Sequence, residues 1–242
     1  MIEAIHQCQS LLVGAHVMLR ACAVSDYAEA LSTAEKQVVA SAIAIRRQTY
    51  STGRYCAKQA LAALQVSSDE FGEGLLRQDD GSVSWPAGCI GSISHTNHWA
   101  VAVAGRNAQP FRSVGVDIEH IDRVNKLVLK QIATDRERAS LDEIPELPWA
   151  RAALFSIKES LYKCLRPVHG AFFGFKDVEL LQLNRLAESG ELVTTEESTA
   201  LRVYTPSVSL LLPSLQASCE HQRIAIRFVV VNDLVISFVS YR

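Results

Sequence analysis

Residues 155–163 read Phe-Ser-Ile-Lys-Glu-Ser-Leu-Tyr-Lys, FSIKESLYK, with neither proline nor glycine inside the run. They lie within a stretch from about Trp149 to Leu165 that predicts one strong amphipathic helix. Arg166-Pro167 ends it, because proline cannot continue the backbone ladder. Glu159 and Lys163 stand four apart and share a face of that helix, whereas Lys158, next to Glu159, points elsewhere. By itself the Glu159/Lys163 pair reads either as a solvated surface ion pair or as part of a reactive centre.

Working outward, strand-like stretches follow the helix and end in a hairpin, RIAIRFVVV and LVISFVSY, joined by the two-residue turn Asn232-Asp233. The first half repeats this order. Residues 11–20, LLVGAHVMLR, read as strand-like. Ser25-Asp26-Tyr27 is a capping signal for a helical pattern that runs to Leu64, with a break near Ser32–Thr33 or Ser51–Gly53 and its best segment from Gly53 to Leu64. Asp80-Gly81 marks a tight turn, and two short strands flank His95-Thr96-Asn97. The segment 107–113, NAQPFRS, reads as a linker. Each half therefore offers a helix followed by strands. The class is α+β: a pseudo-dimer of two similar α+β sub-domains, residues 1–110 and 111–242, each a small antiparallel sheet packed on a long helix.

The 24 basic and 26 acidic residues leave a net charge of −2, so no general basic surface exists for nucleic acid or an anionic membrane, and any anion site is local. Cys8, Cys22, Cys56, Cys89, Cys164 and Cys219 are scattered without a C-x-x-C pair. They read as free thiols of a reducing, cytoplasmic compartment, not as a zinc site or disulfide framework. The opening MIEAIHQCQS lacks the basic start and apolar core of a signal peptide. No apolar run approaches the roughly 18 residues of a membrane span.

Several side chains could carry chemistry. On a strand, Asp117 and Glu119 of VGVDIE point to one face, about 7 Å apart, with Gly115 leaving room beside them. That pair suits a hard divalent cation; it reads equally as a strand ending in solvent. Ser94-His95 closes a small-residue strand, where His95 binds an anion, acts as a base, or is merely a turn residue. Arg46 and Arg54, eight apart, share a face of a continuous helix, and with Arg47 they suit phosphate or form an exposed basic stripe. Taken together, arginines, a histidine, paired acids and a Glu/Lys pair are what a phosphoester or pyrophosphate substrate with a divalent cation requires.

In this order, GSISH (Gly91–His95), GVDIE (Gly115–Glu119) and FSIKESLYK (Phe155–Lys163) resemble the three signature motifs of the 4′-phosphopantetheinyl transferases of the type that activates surfactin and enterobactin synthetases. The upstream RRQTYSTGRYCA is similar to a further stretch of that family, with Tyr50 where phenylalanine is usual. The resemblance spans roughly residues 45–180. It implies a pseudo-dimeric fold with coenzyme A between the halves. It also implies transfer of the phosphopantetheine arm to a serine of an acyl or peptidyl carrier protein, as a holo-[acyl-carrier-protein] synthase, with release of adenosine 3′,5′-bisphosphate. By position, Asp117, Glu119 and Glu159 would ligate Mg²⁺ or Mn²⁺. Glu159, or a water beside it, would take the serine proton, with Glu137 of ATDRER as a second candidate. Lys163 would hold a phosphate oxygen; Arg46, Arg54, Ser94 and His95 would hold the adenosine 3′-phosphate and its surroundings, and Lys158 would touch phosphate. The basic and apolar stretch 123–138 is the expected docking surface for an acidic carrier, and the duplication favours a monomer. A divalent-metal phosphohydrolase and a non-catalytic carrier-binding homologue are the alternatives.

Overall fold

The computed structural model describes residues 5–6, 9–13, 16–107, 111–170, 172–181, 183, 191–194 and 200–242. A short helix α1 (Gln9–Leu12) precedes strand β1 (Val17–Ala23). Helices α2 (Thr33–Val38) and α3 (Ala44–Ala63) follow, then the hairpin β2 (Cys89–His95) and β3 (Trp99–Arg106). The second half opens with β4 (Ser113–His120), then α4 (Lys126–Ile132), α5 (Asp135–Asp142) and the long α6 (Ala150–His169). Strands β5 (Val178–Leu181), β6 (Glu191–Thr194), β7 (Ala200–Tyr204) and β8 (Ser207–Leu210), helix α7 (Pro213–Ser218) and the hairpin β9 (Ile224–Val231) and β10 (Leu234–Tyr241) complete it.

Alternation along the strands builds four layers. Ala100, Ala102 and Ala104 of β3 face Cys56, Ala57, Ala60 and Leu61 of α3. The intervening Val101 and Val103 point the other way, with Val17 and Leu19 of β1. They meet Val114, Val116 and Ile118 of β4 and Leu234, Ile236 and Phe238 of β10. From β10, Val235, Val239 and Tyr241 face Leu154, Ile157, Leu161 and Cys164 of α6. The order is helix, sheet, sheet, helix, each apolar face covered by the next layer.

The sheets run in the same order. The first is β1-β3-β2 and the second begins β4-β10-β9 before adding β7 and β6; β5 and β8 form a separate pair. The repeat extends to single atoms. Ser32 caps α2, and the Glu35 carboxylate accepts from the amides of Ser32 and Leu75 and from Lys58 Nζ at 2.6 Å. Thr134 caps α5, and the Glu137 carboxylate accepts from the amides of Thr134 and Leu180 and from Lys158 Nζ at 2.6 Å. Each half thus ties its long helix to a capping-box glutamate. Burial opposes ionisation of Glu35, but Lys58 and the two amides outweigh it and hold the carboxyl below its usual range.

Four local expectations change. Helix α3 passes straight through Gly53; of the two expected breaks only the one at Ser32–Thr33 is present, and another falls between Val38 and Ala44. A Cβ at position 53 would stand 2.9 Å from Ile93 Cγ2, so this glycine serves helix–sheet approach. Helix α6 passes Pro167 and stops at Gly170, whose φ of 78° is the left-handed cap. Pro167 lies in the last turn, where it removes only one intrahelical bond. In the stretch 11–20, strand β1 begins only at Val17, and Gln9–Leu12 is helical. Near Ser25–Tyr27 only a 3₁₀ turn at Ala28–Ala30 forms, and the helix starts from Ser32. The hairpin turn is as expected, with Asn232 at φ 54°.

Breaking the second clasp should be severe. Lys158→Met leaves the Glu137 carboxylate buried and without its cation, and should lower stability by about 3–5 kcal/mol in urea unfolding. Lys58→Met should lower it less, because the Lys58 side chain is 15% exposed and Lys158 is 0% exposed.

Candidate active site

Helix α6 lies directly on β4. A Cβ at Gly115 would stand 2.0 Å from the Ser160 carbonyl oxygen and 2.8 Å from the Cys164 amide nitrogen, so only glycine allows this approach. The room that Gly115 provides is therefore filled by the helix backbone. On the neighbouring strand β10, Ser237 Oγ is 2.8 Å from Ser156 Oγ and 2.7 Å from Ser160 Oγ, so the contact is lined by small side chains there too.

This approach brings Lys163 to Asp117. Lys163 Nζ donates to Asp117 Oδ1 at 2.7 Å and to the Val116 carbonyl at 3.1 Å. Ser94 Oγ, from the end of β2, donates to the same Oδ1 at 2.7 Å. Asp117 is only 2% exposed, and its Oδ2 is buried with no hydrogen-bond partner. Three elements from both halves thus converge on one carboxylate with a spare oxygen. The helix spacing that makes Lys163 a neighbour of Glu159 holds, but the ammonium binds Asp117.

Two further carboxylates share this field. Burial and then the charge of Asp117 raise the Glu119 carboxyl, against Arg123 and Lys163, to about 7. Arg123 Nε lies 3.8 Å from Glu119 Oε2. Burial also raises Glu159, against Lys163 and with Asp117. Among the described residues, no three His, Cys, Asp or Glu side chains converge closely enough to form a complete metal cage. The donor set nevertheless has the chemistry of a hard-cation site: Asp117 offers a buried oxygen without a partner, and the neighbouring Glu119 and Glu159 carboxyls are raised.

Arg46 Nη1 lies 3.2 Å from His95 Nε2. Because the guanidinium can only donate, Nε2 accepts and the ring proton sits on Nδ1. Burial, then Arg46 and Lys163, hold His95 below its usual range, so it is a neutral imidazole. The expected shared face of Arg46 and Arg54 is present, with guanidinium carbons 5.9 and 4.4 Å from the Tyr50 ring centroid. Arg54 itself is 6% exposed and stacked behind that ring.

Lys158 and Glu137 stand apart from this group, contrary to the roles the resemblance implies for them. Lys158 Nζ donates to Glu137 and to the carbonyls of Ile132, Phe175 and Val178, at distances between 2.6 and 3.0 Å. An ammonium so surrounded has no donor left for phosphate. Glu137, 1% exposed, is held by two amides and that lysine.

Between β2 and α6 runs a cleft of about 630 Å³, lined by Trp85, Ser92, Glu159, Tyr162, Lys163 and Arg166 among others. A smaller cavity of about 230 Å³ on the other side of Glu159 and Tyr162 is aromatic, with Phe172, Phe173 and Phe175. Tyr162 and Arg166 were given no role from the sequence, although helix spacing held the signal, since 159, 162, 163 and 166 form one stripe; Arg123 lies after β4 and carries no such signal.

Two family models match the chain: the 4′-phosphopantetheinyl transferase N-terminal domain over residues 34–105, and the 4′-phosphopantetheinyl transferase superfamily over residues 113–226. The two stretches lie on either side of the junction of the halves and cover every residue of the site. The chain belongs to the 4′-phosphopantetheinyl transferase superfamily. It is similar to 4′-phosphopantetheinyl transferase PptT of Mycobacterium tuberculosis, 35% identical over 148 residues, 60% of this chain and 63% of that one. Its similarity to 4′-phosphopantetheinyl transferase Npt of Nocardia iowensis is 29% identity over 157 residues, 64% of this chain and 68% of that one. The match therefore spans somewhat under two thirds of PptT. A solved holo-ACP-synthase from Plasmodium yoelii is similar at 15% identity over 54% of this chain and 94% of that one, with a TM-score of 0.35. No helix among the described residues is long and apolar enough to cross a membrane, and the five described cysteines are free thiols; Cys8 lies outside the described residues.

The raised Glu119 carboxyl has a consequence for stability. Its folded value, about 7, lies above the ordinary 4.5, so ionising it works against the fold. With a chelator present, the unfolding temperature should fall as pH rises from about 4.5 through about 7, a trend that Glu119→Gln weakens. Thermal unfolding across that window checks it.

Proposed function

We propose that the protein transfers the 4′-phosphopantetheine arm of coenzyme A to a serine hydroxyl of an acyl or peptidyl carrier protein, releasing adenosine 3′,5′-bisphosphate. The observation that carries this reading is Asp117: buried at the seam of the halves, held by Ser94 and Lys163, with Oδ2 unpartnered. Such a carboxylate between two others, beside a lysine and a neutral histidine, suits a pyrophosphate and a divalent cation. Asp117, Glu119 and Glu159 would hold Mg²⁺, which offsets charge on the pyrophosphate oxygens when bound.

The chain's own groups do the rest. Lys163, 26% exposed and facing the cleft, turns its ammonium toward a phosphate oxygen and supports the departing bisphosphate. Arg46 and the Nδ1–H of His95 hold the adenosine 3′-phosphate, with Arg54 keeping Tyr50 and Arg46 in place from behind. Glu159 borders both cavities, and burial makes its carboxylate a stronger proton acceptor, so it takes the serine proton. Apolar and aromatic walls beside Glu159 keep water from competing with the serine. Ser94 orients Asp117. The reaction is then chiefly positioning and electrostatic stabilisation, as phosphoryl-type transfers are.

The carrier is read as docking on α4, where Lys126 and Lys130 are exposed and Leu127 is 71% exposed. The protein acts as a monomer in the cytoplasm.

Intact mass of an apo carrier, incubated with the protein, coenzyme A and Mg²⁺, tests this directly. The carrier should gain one phosphopantetheine group, and a chelator should abolish the gain. Release of adenosine bisphosphate without carrier would instead mean hydrolysis, and binding without any transfer would mean a carrier-binding homologue. Asp117→Asn and Glu159→Gln should each slow transfer by at least about 10²-fold with the circular dichroism spectrum unchanged. Charge reversal at Lys126 and Lys130 together should raise the KM for carrier severalfold and leave that for coenzyme A alone.

A further inference from the structure

The corner between α2 and α3 is apolar and faces solvent. Ile43 is 72% exposed, Val38 55% and Ile45 37%, three of the few large aliphatic side chains left outside the core. Ala40, Ser41 and Ala44 between them are exposed as well. From Lys36 to Arg47 the chain carries three cations, Lys36, Arg46 and Arg47, and no acid. All three cations are exposed, and the acid just before them, Glu35, is buried against Lys58. Asp26, also exposed, lies beside Lys36 and Arg47, so the corner carries three cations to one acid around an apolar centre, a local departure on a chain of net charge −2. Contiguous patches of this kind mark interaction sites.

Its position relates it to the catalytic group. Ile43, the N-cap of α3, and Ile45 in its first turn lie just before Arg46, and Arg46 reaches His95 at 3.2 Å. His95, Glu119 and Arg123 line an open cavity of about 600 Å³. The corner therefore stands at the rim of the site, one hydrogen bond away from it. Glu159 itself opens on two other cavities, so a partner seated on the corner would extend from this rim toward them.

We propose that Val38, Ile43 and Ile45, with Lys36 and Arg47, form a docking surface on the first half of the chain for an acidic, apolar face of the carrier protein. The inference rests on the transferase reading and deepens it. Carrier recognition is then shared by both halves, with α4 on one and this corner on the other. Charge complementarity selects the occupant, since a basic rim around aliphatic side chains fits an acidic partner and repels a second copy of itself.

The test uses Ile43→Asp and Lys36→Glu in the full chain, neither of which touches the group around Asp117. Each should raise the KM for apo carrier about tenfold, with the KM for coenzyme A and kcat unchanged. Titration with a carrier whose acceptor serine is alanine should show the same loss of affinity. A carrier KM within about twofold of wild type for both variants would overturn the proposal. So would light scattering that shows a wild-type dimer dissolved by Ile43→Asp, because a second copy would then own the surface. If the wild type transfers nothing, the transferase reading fails by itself, and the titration still decides whether the corner binds carrier.

Discussion

The site depends on how closely one helix can lie on one strand. A backbone carbonyl of α6 stands where a Cβ of residue 115 would be, and no side chain, however small, fits there. Because the helix comes so near, Lys163 reaches a carboxylate on the strand and Glu159 comes within the field of two others. Ser156, Ser160 and Ser237 keep the same contact close on the adjoining strand and satisfy one another's hydroxyls. A larger residue at any of these points would lift the helix and separate the charges.

Lys158 and Lys163, five residues apart on one helix, show how a closed ion pair differs from one left open. Lys158 meets a glutamate whose two oxygens also accept backbone amides, so the pair is closed, buried and unable to respond to a ligand. Lys163 meets an aspartate that keeps one oxygen without a partner, at the edge of a cleft. The first pair stabilises by being complete. The second is unfinished, and a buried polar group left unfinished is a place where a ligand gains the hydrogen bonds the protein withholds.

Duplication supplies the frame and asymmetry supplies the chemistry. Both halves have the same strand order and the same clasp between a capping-box glutamate and a helix lysine. Counted from the clasp lysine, however, the positions of Glu159 and Lys163 are Gln59 and Ala63 in the first half. Its helix instead carries Arg46 and the stacked Arg54. One half therefore contributes cations from its helix and Ser94 and His95 from its sheet, while the other contributes all three carboxylates.

Helix and strand order, the two-residue hairpin turn, the repeat of the halves and the shared face of Arg46 and Arg54 were legible in the sequence. They depend on periodicity and local turn chemistry, which adjacent residues express. The passage of α6 through Pro167 was not legible, because a proline in a last turn costs little once the helix is packed. Glu137 was legible in another sense: Thr134 stands three residues before it, the spacing of a capping box, which already argues for a structural part. The sequence by itself determined which residues were available for phosphate chemistry and on which elements they lie. Only the tertiary structure decided which lysine was free, which carboxylate kept an unpartnered oxygen, and which charges share a field. Those properties come from contacts between residues 21 to 49 positions apart, as in Lys158–Glu137, Ser94–Asp117, Lys163–Asp117 and Arg46–His95, and no local pattern encodes the approach of two backbones.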